Sequence, residues 1–348
     1  QENGESSDFA GFFDIDWRPI QEALRGKVLL PILEDHYGAV LEKGLLVLRF
    51  DADHGEFSLN YHEHCFPIDP TSYALILGHG IERLEGRLHP EDLVYLDLRS
   101  LVTAFGNLPG HHVTAAESRK SRQRDKEVQK RLLARLCREH DEIDRFITEN
   151  VMLFNGSPGE PQSYQLLHQL LERQAFHLAY WRVASDEINY RRFFDINDLA
   201  ALRMENRRVF EKTHHFVLDL IAADKIVGLR IDHPDGLYDP GQYYQWLYEA
   251  ACGRSVYATG PGYATAASGE SDVPASIYVV VEKILANHER LRDSWPVHGT
   301  TGYEFANLVG GLFVDCRAEQ EMTTIYTRFI GRRIVFDELL YCLLYTSD

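Results

Sequence analysis

Two short apolar runs that each stop on a carboxylate constrain this chain more than any other feature. The first lies in Gly228-Leu-Arg-Ile-Asp-His-Pro-Asp-Gly236, where Arg230 and Asp232 stand two positions apart as the run ends. Residues i and i+2 of a strand share a face, so a buried parallel strand over Lys225 to Asp232 would aim both side chains the same way. Pro234 and Gly236 then open a loop. The second run, in Ile277-Tyr-Val-Val-Val-Glu-Lys-Ile284, ends on Glu282. Leu199 to Ala223 reads as a helix feeding the first strand, and Tyr243 to Cys252 as a helix after it. Helix-strand-helix-strand order is one repeat of a parallel βα architecture with right-handed crossovers. In α/β barrels the carboxyl ends of such strands keep the catalytic groups.

Upstream the pattern is different. Residues 1–75 alternate short apolar runs with turn signals, as in Gly26–Leu33, Gly44–Phe50 and Glu56–Tyr61, which predicts two or three short antiparallel strands. From Ser118 to Glu149 the spacing of Val128, Leu132, Leu136, Ile143 and Ile147 predicts one charged, solvated helix with a single apolar face. After the turn cluster Asn155-Gly-Ser-Pro-Gly159, a further helix is expected over about 162–182, and a Gly- and Ala-rich loop over 253–275. Single tryptophans such as Trp17, Trp181 and Trp295 are expected in buried packing.

With 348 residues, 45% of them hydrophobic, the chain can bury a large core in one large domain or two smaller ones. Its 53 acidic against 36 basic residues, a net charge of −17, argue against nucleic acid or an anionic membrane as partner. Five scattered cysteines without a C-x-x-C pair suggest neither a zinc knuckle nor a disulfide framework, and a reducing cytoplasm is the simpler compartment. No run of about 18 apolar residues occurs, and the N-terminus has no basic start before an apolar core. His62, His64 and Cys65 lack a second ligand cluster, so no metal and no organic cofactor is expected.

G-x-R-x-D closing one strand and an acid closing the next resemble the second and third signature regions of the α-amylase family of glycosidases and transglycosylases. Three more stretches, Phe12–Trp17, Asp186–Asp198 and Trp295–Tyr303, resemble the maltooligosyl trehalose synthase branch of it. G-x-R-x-D alone is shared by many amylase relatives; the ordered set from about Phe12 to Phe336 is what makes the resemblance specific. It implies an α/β fold, a partial TIM (β/α)8 barrel of α-amylase type with a large, mainly helical inserted subdomain. The expected layout is a short-strand insertion over 1–75, a helical subdomain over 76–198, barrel units carrying both acids over 199–338, and a tail over 339–348 that matches nothing in the family.

By the same resemblance Asp232 is the nucleophile, Glu282 the acid/base, and Arg230 the group that holds the nucleophile ionised. A retaining double displacement needs two carboxyls about 5 Å apart. The bland alternative is a pair of surface acids at strand ends. His233 is expected either at the sugar beyond the cleaved bond or capping a turn. In Tyr190–Asp195, Tyr190, Arg191 and Phe194 are expected to wall the site, the alternative being core phenylalanines and an Arg191–Asp195 pair. Tyr303 is expected to line the same cleft. The implied substrate is a maltooligosaccharide or α-1,4-glucan, isomerised at its reducing end to an α,α-1,1 linkage, with a maltooligosyl trehalose hydrolase in the same pathway. The family also uses an Asn-His pair before the nucleophile strand and a His-Asp pair on a later strand. Here the only such dipeptides, Asn287-His288 and His140-Asp141, stand in the wrong order. The chain is therefore expected to be an internal fragment, inactive alone. Competing readings are another α-amylase-type hydrolase or transferase, and a non-catalytic α-glucan-binding protein.

Overall fold

The computed structural model describes residues 1–89, 91–256, 277–286 and 288–345, in two units, 1–212 and 213–348. Most of the expected 253–275 loop, Asn287 of the Asn-His pair and the last residues of the tail lie outside the described residues.

The first unit runs β1 (Val28–Leu33), α1 (Tyr37–Glu42), β2 (Val47–Asp51), β3 (Glu56–Tyr61), β4 (His64–Pro67), α2 (Tyr73–Gly78), α3 (Leu93–Gly106), α4 (Ala116–Glu139), α5 (Asp141–Phe154), α6 (Gln165–Leu171), β5 (Phe176–Tyr180) and a short α7 (Ala184–Glu187). β2, β3 and β4 form the expected antiparallel meander, with Leu48 opposite Leu59 and Leu59 opposite Phe66. β1 does not join it. It pairs in parallel with β5, Val28 opposite Phe176 and Leu30 opposite Leu178. Phe176–Tyr180 falls inside the predicted 162–182 helix, which ends at Leu171. A short run such as Phe-His-Leu-Ala-Tyr is as good a strand as a helix end, and the waiting edge of β1 decides.

One core unites these elements. Phe57, Leu59, Tyr73, Ile76, Leu98, Phe105, Ile143, Phe146 and Phe176 are buried together, each large side chain contributing about 1.5–3 kcal/mol when taken from water. The single helix expected over 118–149 is two, broken at His140, whose extended backbone (φ −140°, ψ 98°) closes α4 and caps α5. The break rotates the apolar face. Ile143 and Ile147 are buried, whereas Val128 (42% exposed) and Leu132 face solvent. Of the face expected on α4 only Leu136 is buried; the buried stripe is Arg122, Lys126, Lys130, Leu133, Ala134, Leu136 and Cys137, a helical spacing whose first half is cationic.

Buried cations need partners. Arg122 bonds Asp69 at 2.8 Å, Lys126 and Lys130 both reach Glu2, and Lys130 also meets Glu56 at 3.1 Å. Gly55, at φ +66°, ends the β2–β3 turn so close to this helix that a Cβ would sit 2.2 Å from the Lys130 carbonyl oxygen. Asp69 also accepts from His111 at 2.7 Å. Burial pushes its carboxyl up, but the His111 hydrogen bond and the Arg122 guanidinium outweigh that and hold it below the ordinary value.

The division between units falls within α8 (Arg207–Ala222), which starts later than the predicted Leu199 because 190–202 forms isolated bridges instead. The second unit continues with β6 (Gly228–Ile231), α9 (Pro240–Val256), β7 (Tyr278–Val281), β8 (Gly299–Thr300), α10 (Tyr303–Gly311), α11 (Glu319–Ile330) and α12 (Phe336–Tyr345). β6, β7 and β8 are parallel neighbours in that order. α9 begins where Asp239 Oδ1 accepts from the Gln242 amide at 2.9 Å with Pro240 as first helical residue. Val279 and Val281 are buried, but β6 is only half-buried, not the buried strand expected. Among the described residues the strands form three small open sheets in a mixed helix-and-sheet protein, and no helix is long and apolar enough to cross a membrane.

Candidate active site

Parallel pairing fixes the site. Ile231 stands opposite Val281, so Asp232 and Glu282 are the next residues of neighbouring strands, and the Glu282 amide donates to the Ile231 carbonyl at 2.8 Å. Arg230 reaches both acids with one guanidinium, Nη1 at 2.8 Å from Asp232 Oδ1 and Nη2 at 3.1 Å from Glu282 Oε1. The i, i+2 spacing read in the sequence is what aims Arg230 at Asp232. Only tertiary pairing brings Glu282 under the same fork.

The charges are arranged unequally. Its hydrogen bond with Glu282, and after it the contact with Arg230, hold the Asp232 carboxyl below its ordinary value against the opposing push of desolvation. Tyr303, the first residue of α10, donates its hydroxyl to Glu282 Oε1 at 3.0 Å. That hydrogen bond and the Glu282 charge push the phenol up. His233 follows Asp232 in the left-handed region at φ +42°, and the Gly236 amide folds back to its carbonyl at 3.1 Å.

The other expected wall residues belong to the first unit. Tyr190 pairs with Ile15 across an isolated bridge, is 8% exposed and donates its hydroxyl to the Asn197 carbonyl at 2.6 Å. Arg191 bonds Asp14 at 3.0 Å, so its suggested pairing with Asp195 is not found; Arg192 makes that contact, also at 3.0 Å. Phe194 is half-exposed at φ +53°. Asp14, Asp16, Asp186, Tyr190 and Arg191 line a cavity of about 510 Å³. Of the tryptophans expected in the core, Trp181 is 52% exposed, with Arg182 lying over its ring, and Trp295 is half-buried against Tyr244.

One residue went unread in the sequence. Lys283, 13% exposed in its side chain, joins Asp235 at 3.3 Å and Glu289 at 2.8 Å, tying the loop after β6 to the loop after β7. Its place directly after an acid that ends a strand was the only signal.

Two acids under one guanidinium at the carboxyl ends of adjacent parallel strands form an arrangement suited to glycosyl transfer through a carboxylate nucleophile and a carboxyl proton donor. No protein-family model matches the chain. Over 154 residues, 44% of its length, it is 36% identical to a putative maltooligosyl trehalose synthase of Mycobacterium tuberculosis, of which the match covers 17%. Among solved structures, a glycosyltrehalose synthase superposes with a TM-score of 0.54 at 26% identity, covering 97% of this chain and 31% of that one. Maltooligosyltrehalose synthase from Arthrobacter ramosus gives 0.54 at 27% identity, covering 97% and 28%. The chain is thus similar to maltooligosyl trehalose synthases and spans less than a third of the length of these relatives.

Proposed function

We propose that this chain carries the nucleophile and the acid/base of a (1→4)-α-D-glucan 1-α-D-glucosylmutase, which moves the reducing-end glucose of a maltooligosaccharide from an α-1,4 to an α,α-1,1 linkage. The arginine fork that binds Asp232 and Glu282 together, in a chain with these relatives, is the observation that carries the reading. Asp232 attacks the anomeric carbon of the penultimate glucose as Glu282 gives its proton to the departing O4, leaving a glycosyl ester and a free glucose. That glucose turns and offers its anomeric hydroxyl. Glu282 takes the hydroxyl proton as the new bond forms and the Asp232 ester breaks, so both carboxyls return to their first state.

On this reading the parallel β6–β7–β8 sheet is part of a (β/α)8 barrel of α-amylase type, with 1–75 and 76–198 inserted and 199–338 bearing the acids. His233, Tyr190, Arg191 and Phe194 would contact the glucan. Retaining the released glucose against water is the work of a closed pocket, to which a large insertion is suited. A cytoplasmic setting agrees with the exposed free thiols of Cys65 and Cys316, and a hydrolase acting on the product would complete the pathway. The third family carboxylate is not among the residues assembled here, so the chain alone is expected to be inactive.

The test is incubation of maltopentaose with a protein of the relatives' full length carrying this segment, as wild type, Asp232→Asn and Glu282→Gln. Loss of reducing power with little free glucose, abolished by either substitution, is the expected result. A rise in reducing ends would make it a hydrolase instead, and full activity in both variants would remove Asp232 and Glu282 from the chemistry.

A further inference from the structure

The acid/base of a double displacement must give a proton in one step and take one in the next, and only one of its two oxygens can face the scissile linkage. At Glu282 the two oxygens are not equivalent. Oε1 receives both the Arg230 Nη2 at 3.1 Å and the Tyr303 hydroxyl at 3.0 Å. An oxygen accepting two such donors is a poor seat for a proton.

The backbone brings the two side chains together. β8 pairs with β7 through Val281 opposite Thr300, and the Thr301 amide donates to the Val281 carbonyl at 3.0 Å. The chain therefore turns beside Glu282, and Gly302, at φ +97°, supplies the left-handed step that a side chain would strain. Tyr303 follows as the first residue of α10, whose N-terminal end favours negative charge nearby.

Resting on the mutase reading, we propose that Tyr303 is a positioning residue: it pins Oε1 of Glu282 together with Arg230, so that Oε2 carries the proton that Glu282 holds toward Asp232 and exchanges with substrate. This differs from a wall residue touching the sugar. The groups facing Glu282 are Arg230 and Asp232 from β6 and its end, and Tyr303 from α10, with His233 next to Asp232. The raised phenol keeps its proton, so Tyr303 remains a donor through both steps.

The experiment compares wild type with Tyr303→Phe in the full-length protein, on maltopentaose and on α-maltosyl fluoride, whose leaving group departs without a proton. Tyr303→Phe is expected to lower kcat/KM on maltopentaose about tenfold, the worth of one charge-assisted hydrogen bond. kcat/KM for the fluoride should stay within about twofold, because glycosylation then calls on no acid. An equal fall on both substrates would make Tyr303 a substrate contact or a structural group, and no change on either would dissolve its role; both results overturn the proposal. Glu282→Gln run alongside separates the two levels: if it keeps full activity on maltopentaose, the mutase reading itself has failed.

Discussion

The protein contains the same ion pair twice, in opposite surroundings. In the first unit Arg122 bonds Asp69 at 2.8 Å with side chains 1% and 0% exposed; in the second Arg230 bonds Asp232 at 2.8 Å with side chains 52% and 51% exposed. The buried pair is surrounded by its own partners: Asp69 also holds His111 and the Thr71 amide, and Arg122 holds the Pro109 carbonyl at 2.6 Å. Arg122 Nε alone has no partner among the described residues, and burial closes the pair to any ligand; its work is to tie α4 to the turn before α2. The exposed pair is open to solvent beside a second carboxylate, so the same geometry is available to a substrate. Solvent access, not bond length, separates the buried structural pair from the pair proposed to act on substrate.

Identical substitutions should therefore have different consequences. Arg122→Met strands the buried Asp69 charge and is expected to cost about 3–5 kcal/mol in urea unfolding of the first unit. If it costs under about 1 kcal/mol, the contrast is broken from the structural side. Arg230→Met, at an exposed site, should leave unfolding within about 0.5 kcal/mol of wild type while lowering activity of the full-length protein roughly a hundredfold, the scale of losing one preorganised donor. A large stability loss there would make it a structural pair after all.

Acid sharpens the comparison further. Asp69 is held below its ordinary value in the folded chain. Its contribution to stability is thus whole above the unfolded value of about 3.9 and is lost as pH falls below it. Unfolding followed from pH 6 to pH 2.5 should show this loss in the first unit, and Asp69→Asn should flatten that part of the curve. The smallest effect is expected at Val128, which periodicity assigned to a helix face and which solvent reaches: Val128→Ala should change stability by less than about 0.5 kcal/mol. A larger loss would mean that the face of α4 read from the sequence is the buried one.

The sequence by itself determined what is local. Apolar runs ending on Asp232 and Glu282 mark strand ends and the i, i+2 spacing aims Arg230 at Asp232, because each depends only on neighbouring residues and backbone geometry; the helix read from Tyr243 starts earlier, at Pro240. The β2–β3 pair was legible too, since its turn is short. Tertiary structure decided the rest. Phe176–Tyr180 became a strand because the edge of β1, far away in sequence, offered hydrogen bonds that a helix end would have left to solvent. Arg122, Lys126 and Lys130 are buried because Asp69, Glu2 and Glu56 meet them there, and no spacing announces such partners. Likewise Tyr303 lies on Glu282 only because β8 pairs with β7 and Gly302 turns the chain back. Periodicity records which face a residue takes; which group waits on that face is settled when distant segments pack.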